Sequence, residues 1–318
     1  LGAQIYYAES LEKLAANIEE VRPTIMFVVP RLFEVLRTRI IKGIEKQGKM
    51  PRFFLEQAQE IGGRQAAGRG RLTDKPMDFV LERMFRPKIR TKFGGRLKAM
   101  VSGGAPLNPE IGQFFESLGL CLLQGYGQTE SAPIISCNRP RAGVKMDTVG
   151  PPLMNTEVRV AEDGELLVKG ELVMHGYWNN ESETRRVLRD GWLHTGDIGH
   201  LDDGGRIVIT DRKKDLIISG GFNIYPADLE SVLARHPAVA DCSVIGVPNE
   251  AWGESPVGFY VPHSGVDASI TEILEWTNAH LGKTQRLTAL HAIAELPRSA
   301  IGKVLKRALR DRLAEHAL

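Results

Sequence analysis

The run Gln124-Gly125-Tyr126-Gly127-Gln128-Thr129-Glu130 gathers groups suited to holding a nucleotide. Gly125 and Gly127 lack a Cβ, so the main chain can take unusual dihedrals and lie close against a ligand. Tyr126 offers a flat face on which a purine can stack. Thr129 can donate to a phosphate or carboxylate oxygen, and Glu130 provides the hard oxygen that Mg²⁺ prefers when it bridges to phosphates. Alone, these residues suit an ordinary Gly-rich turn capped by polar side chains equally well. Their neighbours decide the matter.

Upstream, the apolar run Leu97-Lys98-Ala99-Met100-Val101 reads as a buried strand that ends in the small-residue loop Ser102-Gly103-Gly104-Ala105-Pro106-Leu107. Downstream, Asp197 closes a His194-Thr195-Gly196-Asp197 turn, where a carboxylate can accept from both ribose hydroxyls. A lone Asp more often caps a turn. Asp211-Arg212-Lys213-Lys214-Asp215 is a charged stretch, and Ser219-Gly220-Gly221 presents backbone almost free of side chains, as a hairpin turn would. Near the end, Lys303 follows Gly302 in Pro297-Arg298-Ser299-Ala300-Ile301-Gly302-Lys303. An ammonium there could stabilise charge as a carboxylate attacks a phosphate, although a surface lysine at a turn is the plainer alternative.

In this order the segments resemble the adenylate-forming superfamily of acyl-CoA synthetases, luciferases and peptide-synthetase adenylation domains. Tyr6-Tyr7-Ala8-Glu9-Ser10, Glu20-Val21-Arg22-Pro23-Thr24 and Val29-Pro30-Arg31-Leu32-Phe33 resemble its long-chain fatty acyl-CoA synthetase branch. The resemblance covers essentially the whole chain. It implies an α/β plus α+β protein: the C-terminal part of the large acyl-adenylate-forming domain, with an αβ subdomain and a small β-rich subdomain, then a small mobile α+β domain. The expected limits are residues 1–211 and 212–318, with the β-rich part at about 144–209 and a hinge near 211–214.

The resemblance also implies roles. Lys303 and Thr129 are the expected catalytic residues, both also touching the nucleotide, and Glu130 is the expected metal ligand. Gly103, Gly104, Ala105 and Pro106, with Gln124, Gly125, Tyr126 and Gly127, are expected around adenine. Asp197 and Arg212 are expected at the ribose and Lys214 at the hinge. Ser219, Gly220 and Gly221 are expected beside the pantetheine arm of coenzyme A. The implied activity is an AMP-forming long-chain fatty acid:CoA ligase using ATP, Mg²⁺ and coenzyme A. Two alternatives stand beside it: an acyl-AMP ligase that loads a carrier protein, and a non-catalytic remnant acting as a binding module. The family's Ser/Thr/Gly-rich phosphate loop is absent, and the chain starts at Leu1. It is therefore read as the C-terminal portion of a longer synthetase, incomplete for the full reaction by itself.

A chain of 318 residues with 42% hydrophobic content is globular in composition and has room for about two domains. No apolar run approaches the roughly 20 residues of a membrane-spanning helix. The three cysteines lack CxxC spacing, which suggests neither a zinc site nor a disulfide frame and fits a reducing cytoplasm. Net charge is +2, yet residues 37–98 hold 17 Lys or Arg against 6 Asp or Glu. Such a stretch could meet an anionic membrane peripherally, although a solvated face is the commoner cause. Nucleic-acid binding is not expected, because aromatic residues are not interleaved with the cations.

Periodicity places a helix on Leu11, Leu14, Ala15 and Ile18 after a Ser10 cap, a short strand at 24–29, and a helix on Leu32, Phe33, Leu36 and Ile40. Alternating strands follow from 144 to 209, including 157–160 and 165–168. After Asp211, a helix is expected through Leu229, Val232 and Leu233, with strands at 242–247 and 257–261. A Ser269/Glu272 capping box opens another helix, and a last one shows Leu305, Leu309 and Leu313 on one face.

Overall fold

A computed structural model describes residues 2–10, 12–105, 107–263, 265–299 and 302–316. The chain divides into two compact units, residues 1–154 and 155–318.

The first unit is an α/β layer. Its sheet runs β1 (Ile25–Val28), β2 (Ala99–Ser102), β3 (Leu122–Tyr126) and β4 (Ser136–Cys137), with the first three parallel and β4 antiparallel to β3. Helices α1 (Leu14–Val21), α2 (Pro30–Glu45), α3 (Lys49–Ala66), α4 (Lys75–Val80), α5 (Arg86–Lys92) and α6 (Pro109–Ser117) surround it. Each crossover between parallel strands needs a long connection, and the helices supply it. Asn108 starts α6 by accepting from the Glu110 amide at 2.8 Å, with Pro109 preset for the first turn. The core centres on Phe115, fully buried, with its ring edge-on to Phe33 at 5.4 Å and to Phe114 at 5.3 Å. Gly62 lets α3 close on α6, since a Cβ there would stand 2.8 Å from Ser117 Cβ.

The first helix begins later than its periodicity suggests. Ser10 Oγ accepts from the Lys13 amide one residue before α1, Leu14 and Ile18 are buried, and Ala15 faces solvent. Leu11 lies outside the described residues.

The second unit contains two separate sheets. The strands β5 (Thr156–Val160), β6 (Glu165–Gly170), β7 (Leu188–Arg189), β8 (Trp192–Leu201) and β9 (Ile207–Arg212) form an antiparallel sheet, with α7 (Glu181–Val187) before β7. The second sheet holds β10 (Ile217–Ser219), β11 (Phe222–Ile224), β12 (Val239–Asn249), β13 (Gly253–Pro262) and β14 (Ala289–Ala292). Helices α8 (Pro226–Leu233), α9 (Ile270–Ala279) and α10 (Lys306–His316) complete the unit. Neighbouring strand residues point to opposite faces. Val244 and Tyr260 therefore join Leu229, Leu233 and Ile273 in one core, while Ile245, Val257 and Phe259 join Leu309 in another.

Ser269 caps α9 by accepting from the Glu272 amide at 3.1 Å. The expected stripe on the last helix is only partly realised: Leu309 is buried, but Leu305 precedes α10 and is exposed. The structure is thus the mixed α/β and α+β arrangement that the sequence implies.

Phe115→Ala should lower stability by about 3–5 kcal/mol through lost burial and an unfilled cavity. Urea unfolding followed by circular dichroism measures it, and a loss under about 1 kcal/mol would show that Phe33 and Phe114 close the gap.

Candidate active site

In the first unit, the Gly-rich run and the small-residue loop lie at the C-terminal ends of adjacent parallel strands. Ligands of open α/β sheets characteristically bind at such strand ends. β2 ends at Ser102, and Gly103 follows it next to β3, where a Cβ at Gly103 would stand 3.7 Å from the Gly125 carbonyl. Gly104 adopts φ +84° and is exposed, and Ala105 is half-buried. Pro106 lies outside the described residues. Gln124, Gly125 and Tyr126 are strand residues of β3. The Gln124 amide is buried and donates to the Met146 carbonyl, so its side chain serves the scaffold.

The dihedral freedom expected of the two glycines is not used, since neither Gly125 nor Gly127 has a positive φ. Close approach is what Gly127 provides: a Cβ would stand 2.0 Å from the Pro133 carbonyl oxygen. Gly125 meets only ordinary contacts. Beyond Gly127 a tight turn forms, with the Ser131 amide donating to the Gln128 carbonyl at 2.9 Å and the Gln128 amide donating to Ser131 Oγ at 3.1 Å. It lifts Thr129 into solvent and leaves Glu130 half-buried. Among the described residues, Ser102 Oγ and Gln128 Nε2 are buried without a hydrogen-bond partner, one at the end of β2 and one just past β3. Such orphaned groups are rare in folded proteins, and others among the described residues lie at Arg37 Nε and Thr156 Oγ1.

In the second unit, Asp197 and Arg212 are register partners on β8 and β9, and Arg212 Nε stands 3.4 Å from Asp197 Oδ1. Asp197 is buried and Arg212 exposed. The register shifts just after Asp197, between Ile198 and Gly199, and such bulges re-aim side chains beside functional sites.

Glu165, only 4% exposed, is a residue that motif reading missed. It accepts from the Gly196 amide at 2.9 Å, from Lys213 Nζ at 3.0 Å and pairs with His194 Nδ1 at 3.1 Å. Gly196 precedes Asp197 and Lys213 follows Arg212, so one carboxylate grips both strands that carry the pair. Burial opposes its ionisation more than any other single influence, yet His194, Lys213 and the Gly196 amide together hold its carboxyl below the usual range. Lys213 is in turn held above the ordinary lysine value, first by its hydrogen bond to Asp163 at 2.6 Å.

Lys303 is presented by a small hairpin. The Ser299 amide donates to the Lys303 carbonyl at 2.8 Å, the Gly302 amide to the Ser299 carbonyl at 2.8 Å, and Gly302 takes φ +84°. Arg298 anchors the hairpin by donating to the Gly302 carbonyl at 2.6 Å and to Asp241 at 2.7 Å. Burial lowers the pKa of Lys303, and the positive charges of Arg212 and Lys214 lower it further, against Asp197 and Asp215. In the second unit Lys303 therefore lies within electrostatic reach of Asp197, Arg212, Lys214 and Asp215.

Lys214 is exposed in the short turn 213–215 after β9. Ser219, Gly220 and Gly221 lie instead at the β10–β11 hairpin, where Ser219 pairs with Phe222 across a two-residue turn. Gly220 and Gly221 both have positive φ, as such a hairpin demands. The Gly220 amide donates to the Trp252 carbonyl at 2.8 Å, and a Cβ at Gly220 would stand 2.7 Å from the Trp252 ring. The turn thus needs glycine for its own geometry.

The sequence pattern of the AMP-binding enzyme family matches residues 1–178, and that of the AMP-binding enzyme C-terminal domain matches residues 228–303. A feruloyl-CoA synthase of Amycolatopsis is 38% identical over 237 residues, covering 71% of this chain and 48% of that protein. A long-chain-fatty-acid–CoA ligase of Bacillus subtilis is 38% identical over 245 residues, covering 73% and 44% respectively. The chain spans about half the length of the curated relatives it matches. Among solved structures, the o-succinylbenzoate coenzyme A synthetase of Bacillus subtilis in complex with ATP and magnesium superposes with a TM-score of 0.67 at 27% identity, over 96% of this chain and 54% of that one. By sequence pattern, by identity to these relatives and by fold, the chain belongs to the AMP-binding enzyme family.

Proposed function

We propose that this chain carries nucleotide-handling and acyl-activating residues of an AMP-forming acid:thiol ligase. In the first half-reaction a carboxylate oxygen attacks the α-phosphorus of ATP and pyrophosphate leaves. In the second, the thiol of coenzyme A attacks the acyl carbon of the adenylate and AMP leaves. The observation that carries the reading is the convergence on Lys303 of Asp197, Arg212 and Lys214. A carboxylate suited to ribose hydroxyls, a guanidinium beside it and a lysine with a depressed pKa form the set that the first half-reaction calls for.

In this reading Asp197 accepts from the ribose hydroxyls and Arg212 fixes its carboxylate. Tyr126 and the main chain of Gly103 to Ala105 face adenine, and Thr129 donates to the phosphate. Lys303 stabilises charge between the acyl carboxylate and the α-phosphate. Mg²⁺ would neutralise charge on the departing phosphates, and Glu130 would hold it. A single half-buried carboxylate suits that ion, which keeps several waters and uses only one or two protein carboxylates. The described residues include no cluster of three or more His, Cys, Asp or Glu side chains of the kind that a site built wholly of protein ligands would use.

We propose a long-chain fatty acid as the acid, on the strength of the segments at 6–10, 20–24 and 29–33 and of the long-chain relative. An aromatic acid is the second reading, favoured by the equal identity to the feruloyl-CoA synthase. We also place the boundary between large and small domains at 211–214. One sheet ends with β9 at Arg212, and the next begins at Ile217 and uses only later strands. Comparing kcat/KM for palmitate and ferulate, each with coenzyme A and with a phosphopantetheinylated carrier protein, separates the substrate readings. No turnover with any pair, when this chain is joined to the phosphate-loop half of a relative, would favour the binding-module reading.

Lys303→Ala should cut acyl-adenylate formation by about 10²–10³-fold, the usual loss for one preorganised electrostatic contact, and spare transfer from supplied acyl-AMP to the thiol. Single-turnover assays of the two halves decide it, equal loss in both being the adverse outcome. Because the folded environment lowers the pKa of Lys303, its charge disappears as pH rises at a lower pH than for a free lysine, about 10.4. Adenylation should fall along that alkaline limb, and Lys303→Arg, which keeps its charge, should move the limb upward.

Glu165→Gln should weaken AMP binding by on the order of tenfold, as expected when charge-assisted hydrogen bonds are lost. Affinity for a nucleotide lacking both ribose hydroxyls should stay the same. Calorimetric titration of both ligands tests the positioning role, and a parallel loss for both would reduce Glu165 to general scaffolding.

A further inference from the structure

Between α3 and β2 the chain forms one unbroken helical rod: a tight turn at Leu72–Asp74, then α4, a π-helical turn at Leu81–Phe85, and α5. Its inner side is well anchored. Leu81, Phe85 and Ile89 are buried in the core of the first unit, and Arg86 is buried with its Nε donating to the Ser117 carbonyl at 3.0 Å. The outer side is unusual, because Leu72 is 79% exposed, Phe79 70% and Met84 56%. Lys75, Arg83, Lys88 and Lys92 are exposed along the same rod. Leu72, Lys75, Phe79 and Arg83 recur at helical spacings of three and four, which places them along one side.

The charges nearby explain why this face stays positive. Arg52 holds Glu56, and Arg64 holds Glu60 and Asp74. Arg86 holds Asp78 and Glu82, and Arg90 also holds Glu82. Four arginines thus occupy five of the six acids in 37–98, leaving the positive excess on the other cations. Large apolar side chains set among Lys and Arg on an otherwise anchored helix form the composition of a helix that lies in a membrane interface. A second copy would bring like charge against like charge. Nucleic acid would want stacking aromatics among the cations and would leave Leu72 and Met84 without a role.

We propose that this outer face docks on an anionic lipid bilayer. Leu72, Phe79 and Met84 enter the headgroup boundary, while Lys75, Arg83, Lys88 and Lys92 meet lipid phosphates and carboxylates. The proposal stands independently of the ligase chemistry. It also narrows the broad positive excess of 37–98 to the exposed side chains of one helical segment.

Flotation of the full chain with vesicles of phosphatidylcholine alone, or mixed with phosphatidylserine, tests it at low and high salt. Each cation near an anionic surface contributes on the order of fivefold in partitioning, so four should favour the mixed vesicles by at least about a hundredfold at low salt. The gain should collapse near 1 M salt, where the Debye length is about 3 Å. Combined Lys75→Gln, Arg83→Gln, Lys88→Gln and Lys92→Gln should abolish the anionic preference. Combined Leu72→Ser, Phe79→Ser and Met84→Ser should weaken binding to the mixed vesicles by at least about tenfold. All these side chains are exposed, so circular dichroism and the thermal midpoint should match those of the parent. Phe27→Ser removes an equally exposed ring, 77% accessible on strand β1, and should change nothing. Equal binding to neutral and anionic vesicles would overturn the proposal, as would a loss from Phe27→Ser matching that of the triple variant. So would self-association, seen by sedimentation, that the triple variant abolishes in the absence of vesicle binding.

Discussion

The buried carboxylate of Glu165 is the interaction on which the second unit's candidate residues depend. A charge this deep in a sheet is costly unless its oxygens are filled, and here the Gly196 amide and Lys213 Nζ donate to them while His194 Nδ1 lies 3.1 Å away. Both donors belong to segments next to Asp197 and Arg212. The cost of burying the charge is therefore offset only when β6, β8 and the end of β9 are all in place. That coupling fixes the spacing of a partly exposed ion pair which alone, at 3.4 Å with Arg212 in solvent, would hold its geometry weakly. Asp211 adds a second tie. One of its oxygens accepts from the Ala227 amide at the start of α8, so the end of β9 is joined to that helix.

The first unit obeys a different constraint, that of space at the ends of parallel strands. Gly127 sits where the Pro133 carbonyl leaves no room for any Cβ, and Gly150 is similarly pressed, a Cβ there meeting the Cys137 main chain at 2.2 Å. These close approaches fold the segment after β3 back on itself, and the turn that results presents Thr129 and Glu130. Thr129 is exposed and Glu130 half-buried on a turn whose backbone leaves no room for a side chain at Gly127.

Much of this was legible in the sequence, and the reasons differ by residue. Asp197, Arg212 and Lys303 stand in local motifs whose order carries the family resemblance, so neighbours in sequence betrayed them. Glu165 could not be found in that way. It acts on Gly196, 31 residues away, and on Lys213, 48 residues away, through strand pairings that no local pattern encodes. Strand and helix positions followed from periodicity, but helix starts did not. Ala15 and Leu305 fall outside their expected apolar faces because each lies within one residue of its helix's start, where spacing no longer sets direction. Gly220 was read for openness, whereas its neighbour Trp252 fills the space that a side chain would take.

In the proposed reading, activation is separate from the choice of acid. Asp197, Arg212 and Lys303 there serve ribose hydroxyls, phosphate and a carboxylate, groups common to every acid activated with ATP. An apolar pocket discriminates by shape, at only about 1–3 kcal/mol per methylene, so acyl preference can change with a few side chains. The polar set is more constrained, because losing Arg212 would take its guanidinium from the buried Asp197 carboxylate. Activation chemistry and acid choice thus fall, in the proposed reading, to different physical constraints.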